Sequence, residues 1–350
     1  MSEPMQTQSP CYFVEDISQN YPTAGDIDVF VVAAGFEERA FEFLSRAEFS
    51  DDAICVVSLF ENEVQGNSEI EEKFLRKIEE KFHSENVHKV RLAFNEIFAY
   101  KASFREVVLS LPHAATRVFL DVSGFPAYAV CAVLDEFREC RPYESIDVLY
   151  TSAVEYTPTI DQYEELMGGD DFETEVLPPS MAKEMSENLT FTPFAGHLKG
   201  EGNSCLALFA GYEAHRSAGV IESINPSMLL IIYGDPCDDS LSWRMDLSKK
   251  LHAKFERTRK RAVETVPTQG ISESIAILEE YYNFLIDDYD LIVSPICSKL
   301  QVIACYLFWE KFQEVQLTFP LPIGYDPKYS PTGASKTYRV SLPSRVRFKA

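Results

Sequence analysis

The sequence predicts an α/β protein made of two tandem Rossmann-like, doubly wound, mainly parallel sheets related by internal duplication. Three observations predict it. Continuous apolar runs alternate with helical segments, as in parallel sheets covered on both faces. The order of these segments is the same in both halves of the 350-residue chain. One short stretch also occurs twice. Val31 opens "VVAAGFEERAFEFL" and Leu206 opens "LALFAGYEAHRSAGVI", each placing Ala-Gly, an aromatic and Glu at the end of an apolar run.

In the first half, "DVFVVAA" (28–34) reads as a buried strand and "EERAFEFLSRA" as a helix. "AICVVSLF" (53–60) is a second strand. Ser68 and Glu71 then form a capping box for a helix with Ile70, Phe74, Ile78 and Phe82 on one face. "KVRLAF" (89–94), the helix "SFREVVLSL", the strand "RVFLDV" (117–122), the helix "AYAVCAVLDEFREC" and the strand "SIDVLYT" (145–151) complete the half. The second half repeats this order. It begins with "CLALFA" (205–210), the helix "AHRSAGVIES" and "MLLIIY" (228–233). A long helix from Ser242 to Ala262 follows, with Trp243, Leu247, Leu251 and Phe255 on its stripe. Next come the short strand "VETV", the helix "SESIAILEEYYNFLI", the strand "DLIVS" (290–294), the helix "KLQVIACYLFWEKF" and a last strand "VQLTFPL" (315–321). Gly35 and Gly211 stand 176 residues apart, Ser123 and Ser294 171 apart, so the register between halves is nearly constant.

Three segments follow: residues 1–160 as the first domain, 161–203 as an acidic Pro/Gly linker or insertion, and 204–350 as the second domain with a basic C-terminal tail. Within 161–203, "LTFTPF" is apolar enough to be ordered. The tail, with Lys336, Arg339, Arg345 and Arg347, contains a Thr-Gly-Ala-Ser-Lys loop and has the second crevice as one place to fold.

The formal charge of −23 argues against an extended nucleic-acid surface but leaves room for a local basic pocket. Residues 249–261, from Lys249 to Arg261, are the local exception. They carry seven lysines and arginines against Glu256 and read as a solvated helix face or, alternatively, a site for an anionic partner. Eight cysteines lie in apolar runs and loops with no metal-site spacing, as expected of reduced thiols in a cytoplasmic protein. No metal and no particular cofactor follow from the sequence. The N-terminus has no signal-peptide pattern and no apolar run spans a bilayer, so no membrane association is expected.

Open parallel sheets bind ligands beyond the carboxyl ends of neighbouring strands where strand order reverses. If strands one and four are neighbours in each half, the duplicated loops flank such a crevice. Gly35 and Gly211 then serve either a tight turn or a close approach to an anion at a helix N-terminus. Glu37 and Glu213 suit helix capping. Arg39 and Arg216 oppose the helix dipole and so need a partner, a phosphate or the nearby Glu. After strand four the first half has Asp121, Ser123 and Gly124, and the second has Ser294, Ser298 and Lys299. The hydroxyls suit N-caps or phosphate, and Lys299 suits phosphate. Its counterpart is Tyr128, so the halves differ chemically. No GxGxxG, Walker A, GxSxG or histidine-based catalytic pattern is present.

The "LDVSGFP" run after strand four, and more loosely "VSPICSK", resembles CRISPR-associated Rossmann-fold sensor domains, in which an Asp-Ile/Leu-Thr-Gly-Gly-Thr-Lys-like run ends this strand. Asp121, Ser123 and Gly124 match; Phe125 replaces the second Gly, and the lysine is missing from the first half. The resemblance implies nucleotide binding across a two-fold interface, which two halves in one chain reproduce internally. The expected function is a nucleotide-ligand-binding or regulatory protein in a bacterial nucleotide-signalling or antiviral defence system. The alternatives are a nucleotide- or nucleoside-processing enzyme with Glu37 or Asp121 as acid/base, and a non-catalytic scaffold subunit.

Overall fold

Apolar residues occupy most positions of the inner strands, and those strands are buried on both faces. The computed structural model describes residues 11–35, 37–61, 67–93, 96–140, 142–167, 179–182, 185–199, 203–255 and 260–343. In chain order the first part comprises β1 (Glu15–Asp16), β2 (Val29–Ala34), α1 (Phe41–Arg46), β3 (Ile54–Phe60), α2 (Asn67–Lys81), β4 (Val87–Leu92), α3 (Ile97–Ser110), β5 (Arg117–Asp121), α4 (Ala127–Cys140) and β6 (Ser145–Thr151). Between the two parts lie α5 (Ile160–Met167) and β7 (Met185–Leu189). The second comprises β8 (Ser204–Ala210), α6 (Ala214–Ile224), β9 (Met228–Asp235), α7 (Ser242–His252), β10 (Lys260–Pro267), α8 (Ile271–Leu285), β11 (Asp290–Ile296), α9 (Lys299–Lys311) and β12 (Gln316–Leu317). The chain ends through β13 (Phe319–Pro322) and β14 (Thr337–Leu342).

The chain forms two Rossmann-like sheets of the same order. The parallel strands of the first run β6-β5-β2-β3-β4, and those of the second run β12-β11-β8-β9-β10. In both, strands one and four are neighbours, so each sheet has its switch point at the duplicated loops. The second sheet has five strands; β14 and β1 extend the first to seven.

Three predicted elements change. The long helix from Ser242 ends at His252, and Lys260 and Arg261 belong to β10. The parallel ladder to β9, running from Lys260 opposite Met228 to Pro267 opposite Asp235, takes these basic residues out of the helix. Residues 256–259 of the basic run lie outside the described residues, as does the side chain of Ser68 in the predicted capping box. The last strand, predicted over 315–321, breaks at Thr318. Prolines 320 and 322 have no N–H for a parallel ladder, and β13 pairs instead, antiparallel, with β7. The apolar stretch LTFTPF, which begins at the end of β7, is an ordered insertion, with Phe191 and Phe194 buried in the core. The tail adds a strand to the first sheet: β14 lies antiparallel to β6, and β1 to β14.

A central helix layer joins the sheets. α3 packs on α4, α8 on α9, and α4 on α9. The last contact is between equivalent helices, each following strand four of its half. Every residue from Tyr128 to Arg138 is buried, as is every residue from Leu300 to Trp309, because both helices touch a sheet and each other. One apolar cluster runs continuously through this layer from Val29 and Val118 to Val293 and Leu317. Separate clusters under α1 and α2 and under α6 cover the outer sheet faces.

Arg138 of α4 grips Glu310 of α9 through Nε and Nη2 at 2.6 and 2.7 Å, and donates from Nη1 to the Pro343 carbonyl at 3.0 Å. Both side chains are largely buried, 5% and 14% exposed. Removing one partner strands the other charge. Arg138→Ala is therefore expected to cost about 3–5 kcal/mol in urea unfolding. A double replacement, Arg138→Met with Glu310→Met, should recover most of that loss. An unchanged midpoint for Arg138→Ala would show that this pair does not hold the two parts together.

Candidate functional site

The crevice is shaped by two glycines that let the loops after strands one and four approach closely. A Cβ on Gly124 would meet the Ala33 carbonyl oxygen at 2.8 Å, and one on Gly211 would meet that of Ile296 at 2.7 Å. At Gly35 a Cβ would only touch the Phe60 ring at 3.2 Å. None of the three needs a positive φ; among the described residues the glycines with such a φ are Gly196 and Gly333.

In the first half Glu37 and Arg39 form a buried pair, with Nη2 and Nε of the arginine 2.5 and 2.6 Å from the same carboxylate oxygen. Glu37 makes no side-chain cap bond to the helical turn it precedes, so the predicted capping gives way to ion pairing. Arg39 also donates from Nη1 to the Tyr150 hydroxyl (3.1 Å), the Thr151 carbonyl (3.0 Å) and the Tyr156 hydroxyl (3.3 Å), and from Nη2 to the Ser123 carbonyl (3.4 Å). Burial is the largest influence and opposes its charge, but Glu37 together with Tyr150 and Tyr156 outweighs burial and holds its pKa above the usual arginine value. Ser123 is equally committed: its hydroxyl accepts from the Thr151 amide at 2.8 Å, and its amide donates to Asp121 Oδ1 at 2.9 Å. Asp121 is wholly buried, and its Oδ2 has no hydrogen-bond partner. Burial pushes its carboxyl up to about 6, against the pull of the Ser123 hydrogen bonds and of Arg39.

The second half repeats the pairing with a wider spacing. Glu213 takes Arg216 Nη1 at 2.5 Å and the Ser180 hydroxyl at 2.6 Å, and again makes no side-chain cap bond. Arg216 Nη2 donates to the Pro320 carbonyl at 2.8 Å, while its buried Nε has no partner. Ser298 is spent as the N-cap of α9: its hydroxyl accepts from the Gln301 amide and donates to the Thr268 carbonyl. Ser294 is fully buried with its hydroxyl unpartnered.

Lys299 differs from all of these. As the first residue of α9 it makes no hydrogen bond or ion pair among the described residues. It lies near Glu37 and Arg39 of one half and Arg216 and the neutral thiol of Cys297 of the other. The loops of the two crevices therefore meet at one junction. Lys299, Cys297, Arg216, Tyr212 and Tyr325 are surrounded deeply by protein, yet each keeps part of its surface accessible. Burial lowers the lysine's basicity to about 8; Glu37 opposes this, and Arg39 and Arg216 add to it. Tyr128, the counterpart of Lys299, is a core residue only 2% exposed.

Sequence reasoning missed Arg244, on α7. Its guanidinium donates only to carbonyls of Tyr156, Thr157 and Pro158 and lies 5.0–5.6 Å from the ring centres of Trp243, Tyr156 and Tyr212. No carboxylate pairs with it among the described residues, and burial lowers its pKa. Tyr212 was within sight, as the aromatic of the second duplicated stretch; its counterpart, Phe36, lies outside the described residues.

The charges of Arg39 and Glu37 cancel, as do those of Arg216 and Glu213. Arg244 and Lys299 remain, against the buried Asp121, so the named residues do not share the acidic balance of a chain of net charge −23. A shallow groove of about 650 Å³ opens beside α2, but its lysines 73 and 77 already face Glu38 and Glu80 at 3.7 and 2.9 Å. Among the described residues no cluster of His, Cys, Asp or Glu is arranged to hold a metal ion, and no helix is long and apolar enough to cross a membrane. Comparison with protein-family models finds no match, and comparison with curated proteins finds none either.

Asp121 gives the cleft a pH dependence of known sign. Its carboxyl titrates near 6 in the folded chain and at 3.8 otherwise, so the folded state binds the proton more tightly. Its contribution to stability is therefore fullest below about pH 4, declines as pH rises to about 6, and is flat above. Asp121→Asn should be more stable than the parent at pH 7.5, by about 2–3 kcal/mol at most, with the gain vanishing at pH 4. Urea unfolding of the two proteins at both pH values checks this; a difference independent of pH would refute the buried charge.

Proposed function

We propose that the protein binds a phosphate-bearing ligand of the nucleotide class in the cleft between its halves and acts as a ligand-binding or regulatory protein. One observation carries this reading: Lys299 and Arg244 are deep cations without carboxylate partners, facing one another's neighbours across the junction of two switch-point crevices. A buried charge without a counter-ion is costly, and an anionic ligand would supply the counter-ion. Arg216, whose buried Nε has no hydrogen-bond partner, stands beside them. The tyrosines 156, 212 and 325, with Trp243, supply rings of the kind on which a base stacks. The narrowing from phosphate to nucleotide rests on those rings and on the resemblance of the run around Asp121, Ser123 and Gly124 to CRISPR-associated sensor domains. That resemblance is also the ground for a place in nucleotide signalling or antiviral defence.

The residues of the ligand set divide by what they have left to give. Lys299, Arg216 and Arg244 form it; Arg39, Ser123 and Ser298 shape the cleft, their donors being already used, and Gly124 and Gly211 keep its floor narrow. A thermal-shift series with nucleoside mono-, di- and triphosphates and inorganic pyrophosphate tests the reading, because a ligand that binds only the folded state raises its melting temperature. Lys299→Ala should weaken binding about ten-fold or more, one charge-assisted hydrogen bond being worth about 1.5–3 kcal/mol. Tyr128→Phe, which keeps the core filled, should leave it unchanged. The absence of a shift with every compound would favour the scaffold alternative, and turnover of the compound that shifts it would favour the enzyme.

A further inference from the structure

We infer that β10 is a dimerisation edge. It pairs antiparallel with β10 of a second copy of this chain about a two-fold axis at Ala262, so that Lys260 of each copy faces Glu264 of the other. The inference is independent of any ligand in the cleft. Its foundation is the topology. β10 (Lys260–Pro267) ends the second sheet, with β9 on one side and no strand on the other among the described residues. Thr268, next after β10, donates its amide to the Asp235 carbonyl at 2.7 Å. Peptide groups alternate in direction along a strand, so those of Arg261, Val263 and Thr265 turn to the open side. These three residues are exposed, and Val263 shows 40% of its surface. An eight-residue edge with outward peptide groups is a template for another strand.

The charges of the strand decide what pairs there and in which register. Lys260 and Glu264 lie on the same face: Lys260 Nζ donates to the Tyr289 hydroxyl at 3.0 Å, and Glu264 Oε1 accepts from the Tyr281 hydroxyl at 2.8 Å. Neither has an ion-pair partner among the described residues. A two-fold axis normal to the sheet carries each face onto itself, so opposed residues must share a face. Centred on Ala262, Lys260 meets Glu264 twice by symmetry, in non-hydrogen-bonded pairs, where side chains come closest. Arg261 then meets Val263, and its aliphatic stem covers the exposed valine. Centred on Val263, Lys260 would meet Val266; centred on Arg261, that arginine would meet itself. The other sheet edges do not offer this. β4 carries Lys89 and Arg91 with no acidic residue, so self-pairing sets like charges together, a common guard of an edge. β1 and β12 are two residues long.

The test is sedimentation velocity of the intact protein across a concentration series, which should show a monomer–dimer equilibrium. Lys260→Glu alone and Glu264→Lys alone should each weaken the dimer about ten-fold or more, because two favourable cross-strand pairs become two unfavourable ones. An equimolar mixture of the two variants should dimerise about as well as the parent, since every changed charge then faces an opposite one. That recovery also shows that both variants fold. Lys89→Glu, on the edge of the other sheet, should leave the equilibrium unchanged; a loss there would place the contact on β4 and count against β10. A parent that stays monomeric at every concentration overturns the inference. So does a dimer that survives both single reversals, or a mixture that stays monomeric.

Discussion

A buried arginine requires a counter-charge, and this chain supplies it twice in the same way. Glu37 holds Arg39, and Glu213 holds Arg216, each pair within the loop that follows strand one. The structure around the cleft depends on this self-sufficiency. Because each arginine is neutralised within its own loop, its remaining donors are free to act as braces. Arg39 ties the loop to β6 through the Thr151 carbonyl and to the loop after β5 through Ser123. Arg216 ties α6 to β13 through the Pro320 carbonyl. Such pairs are a weak source of net stability; what they fix here is the position of the backbone around the crevice.

Their position relative to one another is set elsewhere, by helices α4 and α9. In an ordinary doubly wound domain a helix buries one stripe and shows the rest to water. Here the helix after strand four is buried on all sides in both halves, which is possible only because the two cover each other. A contact between equivalent elements brings equivalent loops to the same place. The first turns of these helices, with Tyr128 and Lys299, occupy equivalent places, and the charges of one half reach the lysine of the other. The Arg138–Glu310 pair fastens the far ends of the same two helices.

The fold was legible because buried parallel strands leave an unmistakable signal: runs such as VFVVAA and CLALFA have no polar face. The duplication was legible from order and spacing. What the sequence concealed is long-range. Nothing near Pro320 announces a strand that leaves its sheet to pair with residues 185–189, and nothing in Tyr338 or Val340 announces β6 as partner. The all-round apolarity of Val302 to Trp309 was the available signal for the helix contact, since a helix at a sheet surface would show polar residues on its outer side. Among candidate site residues, Arg39, Ser123 and Ser298 were found by position, but whether their donors were spent depended on Tyr150, Thr151 and Thr268, which lie far away in sequence. Arg244 escaped because a single arginine on a helix leading into a basic run looks like a solvated residue until the carbonyls of 156–158 close over it.

The asymmetry between the halves is where function enters. A duplicated pair of loops facing each other could have kept two equivalent sites, one per half. The first half has instead filled its own, since Tyr128 is packed into the core, Ser123 is bonded on every side, and Asp121 places a carboxyl beneath the loop. The second half keeps an amine, an unpartnered guanidinium nitrogen and a slightly longer loop, Glu213 to Arg216 in place of Glu37 to Arg39. The two halves thus contribute unequally to one cleft: the first supplies a rigid wall of paired charge and tyrosine, and the second the cations that remain unpaired. An anion held there would be bound to the second half and screened from water by the first, so the junction between the halves, and not either Rossmann-like unit alone, is the functional unit that this reading requires.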